Sequence, residues 1–396
     1  MNDRVLTLRE LNRATLARQL LLGRRRLPLA RSLERVAGLQ AQWPPSPYIG
    51  LWSRLEGFER EALVRALARR RVVKATLMRG TLHIVSAEDY LQFAAALKQP
   101  RLEELGKRFP NADLRTAADR ALARAHGTPR TREELVGLAE ADEEVYEWTV
   151  WHAIKARGDL LHVPPSGHWR HFREGPYLPA SDWLGRTPAD GDAGLLHLIR
   201  RYLAAFGPAT RADVASWSGL PLARLEGAMA ALEPELRICR DENGRLLLDL
   251  RKASRPSPAS PAPARLLPKW DSVLLAHSPP ERQRVLPERY RKTVIRANGD
   301  VLPTFLVDGF VAGLWQLERA RRSAALVLEP FEPLPRGARR ELEDEAARLV
   351  RFLEPEASAH AVRIVASRGP SSSVSGAPAR VSAHGSELPR NGSNSA

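Results

Sequence analysis

LQAQWPPSPYIGLWSRL, residues Leu39 to Leu55, closes one apolar-periodic run and opens another. Upstream, Leu29, Leu33, Val36, Ala37 and Leu39 repeat at helical spacing. A proline disfavours helical geometry in the residue before it, so Pro44 predicts a helix that stops near Gln42. Two amides, Gln40 and Gln42, then lie where a helix gives way to a loop. Pro44, Pro45 and Pro47 lower the entropy of that loop when free and hold polar groups on it in place. A second short helix is predicted next, with Leu51, Trp52 and Leu55 inward and Arg54 facing a partner. Two amides at this spacing fit a site, and they fit a helix C-cap with solvated side chains equally well. Spacing alone leaves both readings open.

Around this stretch the order of elements is informative. Thr7 with Glu10 forms a capping-box pattern ahead of a helix through Leu8, Leu11, Leu16 and Leu20, which Gly23 should stop. A helix over Leu29 to Leu39 and another over Glu59 to Arg69 follow. Val72 to Leu77 and Thr81 to Val85 then read as strands joined by a tight turn at Met78-Arg79-Gly80. Three helices and a β-hairpin is the winged-helix order. Ser86 should cap a further helix.

The order returns twice. Helices over Leu114 to His126, from Thr131, and over Val145 to Arg157 precede strands Leu160 to Val163 and His168 to Phe172. Helices over Gly194 to Phe206, from Thr210, and over Pro221 to Leu232 precede strands Leu236 to Arg240 and Arg245 to Leu250. The expected fold class is therefore α+β. It has three tandem winged-helix units over residues 1–110, 111–190 and 191–252, the first carrying the Gln40–Gln42 loop. A Pro/Ser linker at 253–265 is predicted to be extended and exposed. A β-rich domain at 266–366 should follow. Its predicted strands include Val273 to Leu275, Thr293 to Ile295, Thr304 to Val307, Val311 to Trp315 and Ala325 to Leu328, covered by a helix over Arg339 to Phe352. A disordered tail is predicted at 367–396.

Composition narrows the function. The 396 residues are 43% hydrophobic and 27% charged, ordinary for a soluble globular chain. No apolar run approaches the roughly 18 residues that span a bilayer, and no secretory signal is seen, so a cytoplasmic, nucleoid-associated protein is expected. One cysteine, Cys239, excludes an intrachain disulfide framework and a Cys-based zinc site. Lys+Arg number 61 against 46 Asp+Glu, a net charge of +15 carried mostly by arginine. Arginine pairs bidentately with phosphate and guanine edges, so double-stranded DNA is the expected partner. GC-rich coding accounts for some of the arginine but not for the imbalance of sign.

Four stretches together resemble one family. They are LQAQWPPSPYIGLWSRL, LMRGTLHIVSAEDY at Leu77 to Tyr90, PKWDSVLLAHSPPERQRVLP at Pro268 to Pro287, and PTFLVDGFVAGLW at Pro303 to Trp315. The chain up to about Ala366 resembles the AlkZ/YcaQ-like winged-helix DNA glycosylases. That family's signature is Gln, an aliphatic residue, then Gln or Asp; here it falls on Gln40-Ala41-Gln42 and places the chain with the Gln/Gln branch. The resemblance implies catalysis by Gln40 and Gln42 on N7-alkylated purine nucleotides, including unhooking of interstrand crosslinks.

The chemistry fits that implication. N7 alkylation makes guanine cationic and a good leaving group, so the bond breaks through an oxocarbenium-like sugar. A glutamine cannot take a proton at pH 7, but its carbonyl accepts and its NH₂ donates. Gln42 would hold water against the anomeric carbon; Gln40 would orient that water or face the developing positive charge. No positioned lysine argues for a lyase, so hydrolysis to an abasic site is expected.

Further DNA-contact candidates are Arg79 and His83 at the first wing, Trp270 and Asp271, and Arg282 and Arg284 within a basic run that continues through Arg289, Arg291 and Lys292. Arg79 and His83 read equally as a solvated turn and an inward or edge histidine, and Trp270 as a core plug. His162, His168 and His171 have no Cys or carboxylate spaced to complete a metal shell. No metal, cofactor or membrane is expected, and the chain is expected to be a monomer. The alternative is a non-catalytic winged-helix DNA-binding protein or transcriptional regulator. A scaffold that uses its basic face otherwise is the third reading.

Overall fold

Thr7 accepts the Glu10 backbone N–H at 3.2 Å while the Glu10 carboxylate takes the Thr7 N–H at 2.9 Å. This reciprocal cap opens the first helix as expected. The computed structural model describes residues 5–110, 113–141, 146–188 and 190–366. In chain order β1 (Val5–Leu6), α1 (Leu8–Arg18), α2 (Leu29–Val36), β2 (Leu39–Gln40), α3 (Pro45–Arg54), α4 (Arg60–Ala68), β3 (Val72–Thr76), β4 (Leu82–Ser86) and α5 (Ala87–Arg108) come first. Then follow α6 (Leu114–Ala125), α7 (Arg132–Ala139), α8 (Glu147–Arg157), β5 (Leu160–His162), β6 (Tyr177–Pro179), α9 (Ala180–Leu184), α10 (Gly191–Phe206), α11 (Arg211–Ser218), α12 (Leu222–Ala231), β7 (Leu236–Asp241) and β8 (Leu246–Leu250). The last stretch holds β9 (Arg265–Leu267), α13 (Ser272–Leu275), α14 (Arg291–Val294), β10 (Thr304–Val307), β11 (Phe310–Arg319), β12 (Ser323–Pro330), α15 (Arg336–Leu353) and β13 (Ala359–Ile364).

Three sheets organise these elements. One has strand order β2-β4-β3-β5-β6, one β1-β7-β8, and one β13-β12-β11-β10-β9. The β3–β4 hairpin forms with the expected turn, pairing Val72 with Ser86 through Thr76 with Leu82. The first sheet separates two cores. Leu39, Ala41, Val72 and Ile84 pack with Leu33, Val36, Tyr48 and Leu51. Val73, Ala75 and Val85 pack with Phe93, Tyr202 and Trp217.

Several expectations are corrected. The helix predicted to stop near Gln42 ends at Val36. Ala37 and Gly38 turn left-handed, with φ of 58° and 82°, and the Gly38 N–H returns to the Leu33 carbonyl at 2.8 Å. A Cβ on Gly38 would lie 2.6 Å from Val85 Cγ1, so only glycine lets the chain pass this close to β4. Gln40 therefore sits on a strand. The first helix ends at Arg18, before Gly23, because Leu20 turns left-handed and the Leu21 N–H bonds back to the Leu16 carbonyl at 2.8 Å.

The predicted hairpin between Leu160–Val163 and His168–Phe172 does not form. β5 pairs with β6 on one side and with β3 on the other, so strands from residues 39–86 and 160–179 share one sheet. The segment between β5 and β6 folds as turns, and its Gly167 carbonyl accepts the Tyr48 hydroxyl at 2.9 Å. The strands predicted at Val273 to Leu275 and Thr293 to Ile295 fall on the short helices α13 and α14. The Pro/Ser linker is not a free spacer: its Ser254, Pro258 and Ser260 carbonyls accept from Arg18, Arg9 and Arg13 of α1. The start of the helix expected from Val145, and the tail expected at 367–396, lie outside the described residues.

Candidate functional site

The end of β2 places the two glutamines differently. The Ala41 N–H donates to the Leu82 carbonyl at 2.7 Å. The reciprocal donor, the Leu82 N–H, goes to Gln42 Oε1 at 3.2 Å. The exposed Gln42 amide is thus pinned across the end of the β2–β4 ladder. Because residues 41 and 82 occupy a hydrogen-bonding position, Gln40 and His83 form the narrow pair beside it. Their side chains share one face, with Cβ atoms about 4.5–5.5 Å apart by strand geometry.

Gln40 is 6% exposed, and its Oε1 is buried without a hydrogen-bond partner. Leaving such a carbonyl unsatisfied costs roughly 1–3 kcal/mol. Folded proteins keep few of these groups, and each one calls for an explanation such as a functional role.

His83 is also buried, with Nδ1 3.0 Å from the Thr81 carbonyl. A carbonyl only accepts, so Nδ1 carries the proton and Nε2 keeps its lone pair. Burial, with the charge of Arg79 beside it, pushes the imidazole pKa down to about 3. At neutral pH the two amides and this imidazole are all uncharged.

The segment before α13 clamps the loop from behind. The Ser46 hydroxyl donates to the Lys269 carbonyl at 2.7 Å, and the Ser272 hydroxyl to the Gly38 carbonyl at 3.5 Å. The Asp271 carboxylate takes both amino groups of Arg54, at 2.8 and 2.7 Å, and the Val273 N–H at 3.0 Å. Arg54 and Asp271, expected to meet DNA, are 1% and 2% exposed and pair with each other through both amino groups of the guanidinium, while its Nε has no partner. They hold α3 against the start of α13. Serines carry no spacing pattern, so nothing in the sequence singled out Ser46 and Ser272.

Most other candidates are wholly or partly buried. Arg284 is 1% exposed and donates to the Pro208 carbonyl at 2.7 Å. Arg79 turns inward to the Trp217 carbonyl at 2.6 Å. Its backbone lies against Gly219, where a Cβ would stand 3.0 Å from Arg79 Cα, so the β3–β4 turn docks on the end of α11. His83 is buried, the inward one of its two alternative readings. Arg282 is half-buried and donates through Nε to the His277 carbonyl at 3.0 Å. Trp270 is half-buried with a left-handed backbone, φ 52°; its indole N–H donates to the Gly299 carbonyl at 3.1 Å. The Lys269 ammonium sits 4.6 Å from its ring centre and 2.9 Å from Asp300. Of the basic run, Lys292 is exposed, while Arg289 and Arg291 pair with Glu332 and Glu288.

Comparison with known proteins points one way. The profile of the family described as DNA glycosylase AlkZ-like matches residues 33–352. The interstrand DNA cross-link repair glycosylase of Streptomyces sahachiroi is 28% identical over 341 residues, 80% of this chain and 88% of that relative. The solved structure of Streptomyces sahachiroi DNA glycosylase AlkZ superposes with a TM-score of 0.76 at 25% identity, covering 91% of this chain and 100% of that one.

Proposed function

The chain belongs to the AlkZ-like DNA glycosylase family, and from that premise we propose that it hydrolyses the N-glycosidic bond of N7-alkylated purine nucleotides and unhooks interstrand crosslinks made through that bond. Its activity is that of a DNA glycosylase, with duplex DNA as substrate. The name of the Streptomyces sahachiroi relative supports the crosslink, and the chemistry of a cationic leaving base supports N7 alkylation. In this reading the three units at 1–110, 111–190 and 191–252 are winged helices, and the first carries the amides.

The observation that carries the proposal is the unpartnered Gln40 Oε1. A carbonyl dipole with nothing to neutralise it can face the positive charge that develops on the sugar, with little reorganisation when the bond breaks. The Gln40 side chain makes no hydrogen bond among the described residues, so a shift toward the strand on DNA binding breaks none. Gln42 is the water-positioning partner. Leu82 occupies one lone pair of its carbonyl, which fixes the amide and leaves the second lone pair and the NH₂ to hold water. Neither amide can deprotonate water. The pair therefore acts by position and dipole, too weakly to expel an unmodified base, and selectivity for damage follows.

The test is a panel of duplexes carrying N7-methylguanine, bulkier N7 adducts, N7-linked interstrand crosslinks, or no damage. Free base and alkali-labile abasic sites are expected from the N7-alkylated duplexes, and separated strands from the crosslinked one. Undamaged duplex should yield nothing. Absence of release from every duplex, with binding intact, would refute the proposal.

A further inference from the structure

A second polar site lies away from the glutamines, in a small cleft between α5, α8 and the end of β3. Tyr90, Lys98, Arg101, Lys155, Asp159 and Tyr177 line it. The Lys98 ammonium is bonded to the Asp159 carboxylate at 2.7 Å, and the Tyr90 hydroxyl donates to the Asp159 carbonyl at 2.8 Å. The Tyr177 hydroxyl donates to the Glu174 carboxylate. Arg101 gives one amino group to the carbonyls of Thr76 and Leu77, at 3.1 and 2.7 Å. Those acceptors are neutral, and the carboxylates of Asp159 and Glu104 act on its charge without bonding to it.

Lys155 is the unusual member. Among the described residues it makes no hydrogen bond and no ion pair; its ammonium lies 5.4 Å from the centre of the Trp151 ring. An ammonium carries three donors, and here all three are open. Burial, with Arg132 nearby, holds its pKa down to about 8. Three cations thus converge on a concave site with two carboxylates near them, Asp159 in direct contact with Lys98 and Glu174 held by the Tyr177 hydroxyl and acting on Lys155 from a distance.

We propose that this cleft binds a phosphate group, with the Lys155 ammonium and the Arg101 guanidinium as its donors. Phosphate is the chemistry that matches: a compact anion with several strong acceptor oxygens, facing open N–H donors in a partly enclosed, low-dielectric cleft. The cleft adjoins the β3–β4 hairpin, because Arg101 holds the carbonyls of Thr76, the last residue of β3, and of Leu77 after it. The site is independent of the glutamine chemistry. Its phosphate comes either from the backbone of bound DNA or from a free phosphate compound.

Calorimetric titration of the full chain with inorganic phosphate, at ionic strength balanced with chloride, tests this. Wild type should bind, Lys155→Met should bind about tenfold more weakly or not at all, and Lys155→Arg should stay near wild type. The Lys155 side chain, followed by NMR in the wild-type protein, should titrate at higher pH once phosphate is added. Duplex DNA lacking terminal phosphates then distinguishes the sources. Competition with phosphate assigns the cleft to a backbone phosphodiester; no competition assigns it to a free phosphate compound. Equal phosphate binding by Lys155→Met, or an unmoved Lys155 titration in the wild type, overturns the proposal. The second readout stands even if the methionine variant does not fold.

Discussion

The double substitution Gln40→Ala with Gln42→Ala is expected to lower single-turnover base release from an N7-methylguanine duplex by about 10²–10³-fold or more. Nonspecific duplex binding should fall little, because it comes from arginines and lysines distributed over a chain of net charge +15. The expected loss is not a folding defect. Gln40 Oε1 has no partner to abandon, and removing Gln42 frees one N–H, that of Leu82, at an exposed strand end. Each single variant should lose much of what the double variant loses, since residues that act as a unit are not additive. Base release by the double variant at the wild-type rate would take both amides out of the mechanism.

Arg54→Met alone is expected to destabilise the protein by about 3–5 kcal/mol, because it strands the Asp271 carboxylate in a site with almost no solvent. Asp271→Leu alone strands the guanidinium and should cost a similar amount. The combined variant Arg54→Met with Asp271→Leu should recover most of the loss, since an apolar pair of similar volume avoids burying two charges. Urea unfolding measures all three. The salt dependence of DNA binding by the folded variants should match wild type, because Arg54 does not face the duplex. A reduced salt slope in the combined variant would restore Arg54 to the DNA interface.

The same ion pair shows where sequence reading stops. Arg54 and Asp271 are 217 positions apart, and no periodicity links them. An arginine at the edge of an amphipathic helix reads as a solvated or ligand-facing group; its burial depends on a carboxylate brought by another domain. Arg284 and Arg79 turn instead to backbone carbonyls distant in sequence, those of Pro208 and Trp217. Local rules served well where the interaction is local. The capping residues Thr7, Ser86, Thr131 and Thr210 all accept hydrogen bonds from the first turns they precede. The Met78-Arg79-Gly80 turn also lies where it was expected. They failed at β2, where a left-handed Gly38 is required by the approach to Val85, a contact invisible along the chain. They failed again at β5, whose neighbours are Tyr177 to Pro179 and a strand from the first unit. Gln40 and Gln42 were legible as a motif through the family resemblance. Their unequal situations, one amide buried and unpartnered, the other pinned at a strand end, were not.

The most direct measurement of the central claim is the single-turnover rate of base release by wild-type protein between pH 5 and 8. The groups proposed to act at the bond are two amides that do not titrate, and the neighbouring His83 is held down to about 3, so none changes charge in this range. The account predicts a flat profile once DNA binding is saturated at each pH. A profile that rises or falls tenfold per unit, with a midpoint between 5 and 8, would show that a titrating acid or base carries the reaction and would contradict it.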